Sequence, residues 1–144
     1  MLVGTGIDLT DIPRIRASIA RYGGRFIDRI FTQREKDYCM RKRNAAESFA
    51  ARFAAKEAAA KALGTGINFG VNWLEIEVTR EPSGRPGIEF HGRAAEIASR
   101  LGVTHVALSI THSDTLAMAS VSRERTPEGS GQNPLPHPDA SAGD

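Results

Sequence analysis

The chain has 144 residues, 40% hydrophobic and 25% charged, which suits one soluble globular domain and excludes a fibrous or low-complexity protein. Its net charge of +2 understates the folded part, because residues 126–144 hold three acids and no Lys or Arg. The first 125 residues carry 19 basic and 14 acidic side chains, or +5, and so favour anionic partners.

Residues 2–9 (LVGTGIDL) alternate Val3, Thr5, Ile7 and Leu9 with Gly4, Gly6 and Asp8, the two-residue period of a strand. Two glycines beside one carboxylate leave open space on the second face, and strand glycines often mark a close approach of ligand or backbone. Thr10 or Asp11 can then cap a helix with Pro13 in its first turn. Ile12, Ile15 and Ile19 give that helix its buried stripe, and Gly23-Gly24 end it. Its outer faces bear Arg14, Arg16 and Arg21, with Arg25 just beyond. Such a face is either simply solvated or docks an acidic helix. Phe26, Ile27, Ile30 and Phe31 form an apolar patch in a short helix or turn. Thr32-Gln33-Arg34-Glu35 fits a capping box, opening a helix that closes on Arg41-Lys42-Arg43.

Residues 49–66 (FAARFAAKEAAAKALGTG) read as an alanine-rich helix ending on Gly64-Thr65-Gly66. Its alanines let other backbone pack close around it. At about 100° per residue, Phe49, Phe53 and Leu63 define one apolar stripe, with Lys56 inside it and Glu57 at its edge. A charge on the buried side of an otherwise consistent helix tends to mark a functional site. The alternative is an i,i+4 surface pair of Glu57 and Lys61, with Lys56 snorkelling outward.

A strand over 74–79, a turn over 81–86 and a partner strand over 87–91 follow. A helix over 94–101 stops at Gly102, and strands 106–111 and 116–121 flank His112-Ser113-Asp114 as a last hairpin. The class is α+β, a mainly antiparallel sheet packed against a long alanine-rich helix. The Pro/Gly/Ser-rich segment 126–144 reads as a disordered tail after a domain spanning 1–125. No apolar run approaches the ~20 residues that cross a bilayer, so no membrane role is expected. The start MLVGTGIDL lacks the marks of a signal peptide and Cys39 stands alone, so a cytoplasmic location is expected. Cys39, between Tyr38 and Met40, reads as a packing residue.

Asp8 and Glu57 are the acids placed for chemistry, and carboxylates shared with substrate phosphates suit Mg²⁺. Arg52, Lys56 and Lys61 lie along the helix of Glu57, and Gly64-Thr65-Gly66 adds backbone N–H groups, which together make a candidate phosphate site. That loop follows its helix, so it matches neither a Walker A nor a Rossmann fingerprint. Ser109 and His112 in LSITHS offer a hydroxyl and an imidazole, although His112 reads equally well as a turn residue. The residues by themselves lead to Mg²⁺-assisted binding or transfer of a phosphorylated small molecule.

Two motifs lead further. Gly6-Ile7-Asp8 through Arg14 follows the pattern G-I-D-x-x-x-x-x-R, and Phe53 to Lys61 follows F-x-x-K-E-A-x-x-K. In this order and spacing the chain resembles the holo-acyl-carrier-protein synthases, small bacterial 4′-phosphopantetheinyl transferases, over roughly residues 1–122. LSITHS is a softer third match, with Ala107 where some relatives have histidine. The resemblance implies the 4′-phosphopantetheinyl transferase fold over 1–125. It also implies transfer of the phosphopantetheine arm of coenzyme A to a serine of apo acyl carrier protein in fatty acid biosynthesis, releasing adenosine 3′,5′-bisphosphate. Asp8 and Glu57 match the family's Mg²⁺ ligands and Lys61 its catalytic cation. Arg52, Lys56, Gly64, Thr65, Gly66, Ser109 and His112 join Lys61 as the expected coenzyme A contacts. The base that deprotonates the serine is either Glu57 or a metal-bound water. Arg14, Arg21 and Arg25 become the docking face for an acidic carrier protein, and a homotrimer with sites between subunits is implied.

Two other functional classes make different demands on the sequence. A non-catalytic coenzyme-binding module would keep Lys61 and the glycine loop without needing both acids. An RNA-binding protein would interleave aromatics with its basic patches. The nine aromatics here fall mostly in apolar stripes, so no nucleic acid partner is expected.

Overall fold

The structure, a computed structural model, describes residues 1–127. Apart from its first two residues, the tail expected over 126–144 lies outside the described residues. Strand β1 (Leu2–Asp11) leads into helices α1 (Ile12–Tyr22), α2 (Gly24–Ile30), α3 (Gln33–Met40) and the long α4 (Ala45–Ala62). A 3-10 turn at Trp73–Glu75 precedes the hairpin of β2 (Ile76–Arg80) and β3 (Pro86–Phe90). Helix α5 (Gly92–Arg100) and the hairpin of β4 (His105–His112) and β5 (Leu116–Glu124) follow. β5 lies between β1 and β4, antiparallel to both, while β2 and β3 form a separate two-stranded sheet.

Local chemistry sets the element ends. Asp11 caps α1 by accepting from the Arg14 N–H at 3.2 Å, with Pro13 inside the first turn. Thr32 and Glu35 complete a reciprocal capping box at the start of α3. Asn44 caps α4 through the Glu47 N–H. The strand expected from residue 74 begins instead at Ile76. Asn72 caps the turn that precedes it, accepting from the Leu74 N–H, while Glu75 accepts from the Asn72 N–H. Glu75 also accepts from the Ala94 N–H, which pins the start of α5.

Helix α4 is the centre of the molecule. Ala54, Ala55, Ala58, Ala59 and Ala60 are fully buried, so the helix is covered on nearly every side and the single-stripe reading is too narrow. β1 and β5 pack along it, with α1, α3, β2 and β4 around the remainder. Two apolar clusters result, one towards α5 and both hairpins, the other towards α1, α2 and α3. Among the described residues no helix is long and apolar enough to cross a membrane.

The three-stranded sheet turns Gly6, Asp8 and Thr10 towards α4. Its other face bears Ile7 and Leu9, each 59% exposed, beside Met118 and Leu116. The alternation expected for β1 is present, with the small and acidic row inward and the large apolar row outward.

Candidate active site

Gly6 determines how near β1 comes to α4. A Cβ at this position would lie 1.9 Å from the Ala58 carbonyl oxygen and 2.8 Å from the Ala62 nitrogen. Only glycine permits the contact. Two residues further, on the same face of the strand, Asp8 meets Glu57. The Asp8 side chain is 11% exposed. Its Oδ1 accepts from Lys61 Nζ at 3.1 Å and its Oδ2 from Thr10 Oγ1 at 3.2 Å. Lys61 Nζ also donates to the Ile7 carbonyl at 3.1 Å. Partial burial and the neighbouring Asp8 carboxylate push the Glu57 pKa up, against the pull of Lys61 and Arg14.

Two carboxylates held together and partly out of water form an oxygen-only donor set with surplus negative charge. That set fits a hard divalent cation bound through two acids, with substrate phosphates completing its shell. Lys61 lies beside the pair, half-exposed on the solvent side. Asp8, Glu57 and Lys61 are thus brought together as expected.

A second site lies elsewhere on α4. Residues 52 and 57 are about 140° apart around a helix, so Arg52 faces away from Glu57. A cavity of ≈ 500 Å³ there is lined by Tyr38, Lys42, Arg43, Arg52, Arg80 and His112, among others. Arg52 stacks over the Tyr38 ring at 3.9 Å, with Lys42 at 4.6 Å and Arg80 at 4.9 Å. Arg80 also donates to the Tyr38 hydroxyl. Burial pushes that hydroxyl's pKa up, but Lys42, Arg80 and Arg52 outweigh it and hold the group below the usual tyrosine value. Arg52 Nε is buried without a hydrogen-bond partner among the described residues. His112 Nε2 lies 3.5 Å from the Glu47 carboxylate at the cavity's edge. This concentration of cations suits a bound phosphate group. Sequence reasoning found Arg52 and His112 but missed Tyr38, Lys42, Arg43 and Arg80 as lining residues. The run 41–43 was legible as basic, whereas no spacing announced Tyr38 or Arg80.

Three expectations for coenzyme contacts meet a different structure. Lys56 has no exposed side-chain surface, and its ammonium is used by Glu35 at 2.6 Å and by the Ile76 and Trp73 carbonyls. It therefore neither snorkels nor has a donor left for a ligand. The N–H groups of Gly64, Thr65 and Gly66 turn back onto the Lys61 and Ala60 carbonyls, closing the C-terminus of α4. They are not free to cradle phosphate, although the loop offers open space at Gly64 and Gly66. Ser109, paired with Ser120, is exposed on the open sheet face, remote from the inward-facing Asp8.

Arg14, Arg21 and Arg25 are exposed as expected. Arg25 borders a groove of ≈ 590 Å³ with Tyr22, Phe26, Arg29, Phe53 and Trp73. Phe53 and Trp73 stack there at 4.7 Å. A different acidic cluster, Glu77, Glu89 and His91, has its ligand atoms within 4.8 Å of one another. Arg34 already bridges both of its carboxylates, at 2.6 and 2.7 Å. The Arg34 hydrogen bond leads the interactions that lower the Glu77 pKa to about 2.

Residues 4–120 match the family model of the 4′-phosphopantetheinyl transferase superfamily. The holo-[acyl-carrier-protein] synthase of Koribacter versatilis is 55% identical over 121 residues, covering 84% of this chain and 97% of that protein. The chain belongs to the holo-acyl-carrier-protein synthase family. The Solibacter usitatus member is 52% identical over the same shares of both chains. Among solved synthases, the Neisseria meningitidis enzyme superposes with a TM-score of 0.80 at 30% identity, covering 87% of this chain and 100% of the other. The Helicobacter pylori enzyme in complex with coenzyme A gives 0.74 at 30% identity, covering 83% and 99%. The expected fold is thus the family's own.

Proposed function

We propose that this synthase moves the 4′-phosphopantetheine group of coenzyme A onto a serine hydroxyl of an apo acyl carrier protein, in the cytoplasm, for fatty acid biosynthesis. The pairing of Asp8 and Glu57 beneath Lys61 carries this reading, beside relatives named for the reaction. The serine oxygen forms a bond to the phosphorus that bears the pantetheine arm. The bond from that phosphorus to the oxygen of the nucleotide half breaks, and adenosine 3′,5′-bisphosphate leaves. The serine proton passes to Glu57 or to a water beside it. Lys61 meets the charge on the phosphoryl oxygens while donating to the Asp8 carboxylate at 3.1 Å. Asp8 and Glu57 would hold Mg²⁺, which would supply neutralisation of the phosphate charge.

Docking follows charge and shape. Arg14, Arg21 and Arg25 present cations to an acidic carrier helix, and the groove beside Arg25 offers an apolar floor. The basic cavity of Arg43, Arg52 and Arg80 suits the nucleotide phosphates of coenzyme A. It faces away from Asp8 and Glu57 of its own protomer, so a site between subunits would unite one chain's acids with another's cavity. The outward Ile7, Leu9 and Met118 face supports the homotrimer this requires.

Intact-mass measurement of an apo acyl carrier protein, incubated with the enzyme, coenzyme A and Mg²⁺, tests the reaction. The expected result is a gain of one phosphopantetheine group, lost with EDTA, Asp8→Ala or Glu57→Ala. Unmodified carriers despite coenzyme A binding would leave a binding module in place of a transferase.

A further inference from the structure

Lys56 is fully buried, and the proposed reaction gives it nothing to do. Its ammonium has three donors and three acceptors: Glu35 Oε1 at 2.6 Å, the Ile76 carbonyl at 2.7 Å and the Trp73 carbonyl at 3.0 Å. Glu35 is equally occupied, its Oε1 also accepting from the Thr32 N–H and its Oε2 from the Val78 N–H. Neither side chain has exposed surface. Such a pair adds little net stability compared with apolar packing, so its retention calls for a reason in placement.

That reason lies at the 3-10 turn. The Trp73 carbonyl already accepts from the Ile76 N–H that closes the turn, and Lys56 clamps the carbonyls at both ends. Phe53, on the same face of α4 one turn before Lys56, stacks on the Trp73 ring. Trp73 is thus held by its carbonyl and its ring from a single helix face. Its ring is part of the groove that also contains Tyr22, Arg25, Phe26 and Phe53.

We infer that Lys56, paired with Glu35, is a positioning residue for carrier docking: it holds Trp73 in the groove that receives the carrier protein. This rests on the docking reading given above. Coenzyme A binding should be spared, because neither Lys56 nor Glu35 lines the cavity given above to its phosphates, and Glu35→Gln keeps an oxygen that can accept from the Val78 N–H at the cavity wall.

The double variant Lys56→Met/Glu35→Gln tests this in the full chain. It removes both charges, avoiding the lone buried carboxylate that Lys56→Met would leave. Trp73 is the chain's one tryptophan, so its fluorescence follows the groove directly. The expected outcome is a red-shifted, more quenchable emission and a KM for apo acyl carrier protein raised about tenfold or more. The kcat and the coenzyme A KM should stay within about twofold of wild type. Wild-type emission, or an unchanged carrier KM, in the folded double variant would overturn the proposal. So would equal losses for both substrates, the mark of a general structural role. Arg25→Glu, which leaves Trp73 untouched, separates the two readings. If it raises the carrier KM and the double variant does not, docking stands and the role of Lys56 falls. If neither raises it, the docking reading falls with it.

Discussion

Glu57 bears a charge that its surroundings disfavour, first by burial and then by the carboxylate of Asp8. Its pKa is therefore raised in the folded state. The folded chain holds the proton over a pH range in which the unfolded chain has lost it. Stability from this group is fully present below the ordinary carboxylate value and is lost as pH rises through the raised one. In EDTA at pH 8 the Glu57→Gln variant should melt a few degrees above wild type, with the gap closing towards pH 4. Mg²⁺ should raise the wild-type melting temperature and barely move the variant. A variant less stable than wild type at pH 8, or an equal response of both to Mg²⁺, would count against the paired-acid reading. The acids were legible in the sequence because each broke a local rule, one beside strand glycines and one on an apolar helix. Lys56 broke the same rule for a different reason. Its partner is on another helix, and no periodicity along α4 points to Glu35.

At the scale of elements, β1 and α4 work as one unit with Gly6 at their crossing. Capping residues and two-residue alternation made most element types legible, including the Thr32 box and the last hairpin. The burial of α4 was only half legible. A stripe in a helix shows which side is most apolar, but an alanine helix admits neighbours on every side. The inward glycine row of β1 belongs to the same design. Gly6→Ala would drive a Cβ into the backbone of α4, where no flexible side chain can give way. The expected cost is about 3 kcal/mol or more. Activity should fall even where the protein remains folded, because β1 must move Asp8 away from Glu57. Gly24→Ala is the matched control. Its Cβ meets only Asp28 Oδ2 at 3.6 Å, in the first turn of α2, so urea denaturation should find it neutral or slightly stabilised. Similar losses in both variants would show that the crossing at Gly6 is not special.

The whole molecule leaves its candidate functional parts on separate faces. The acids and Lys61 lie where β1 crosses α4, and the cavity of Arg43, Arg52 and Arg80 opens on another side of that helix. Ile7 and Leu9 project from the outer face of the sheet beside Met118, an apolar surface that a lone protomer leaves in water. The outward apolar face could not be read from spacing in one chain, because the period of β1 is the same whichever row faces inward. Covering that surface with further copies would also bring different protomers' sites together. The chain should therefore sediment as a trimer, and Leu9→Glu should yield monomers with little activity at dilute concentration. Mixing provides the sharper measurement. Asp8→Ala loses the acid pair and Arg43→Glu impairs the cavity, so each variant alone should be nearly inactive. After subunit exchange, some interfaces would combine an intact acid pair with an intact cavity, and transferase activity should return in part. If trimers form and exchange freely but activity does not return, each protomer must build its site alone, and the cavity must serve some other ligand.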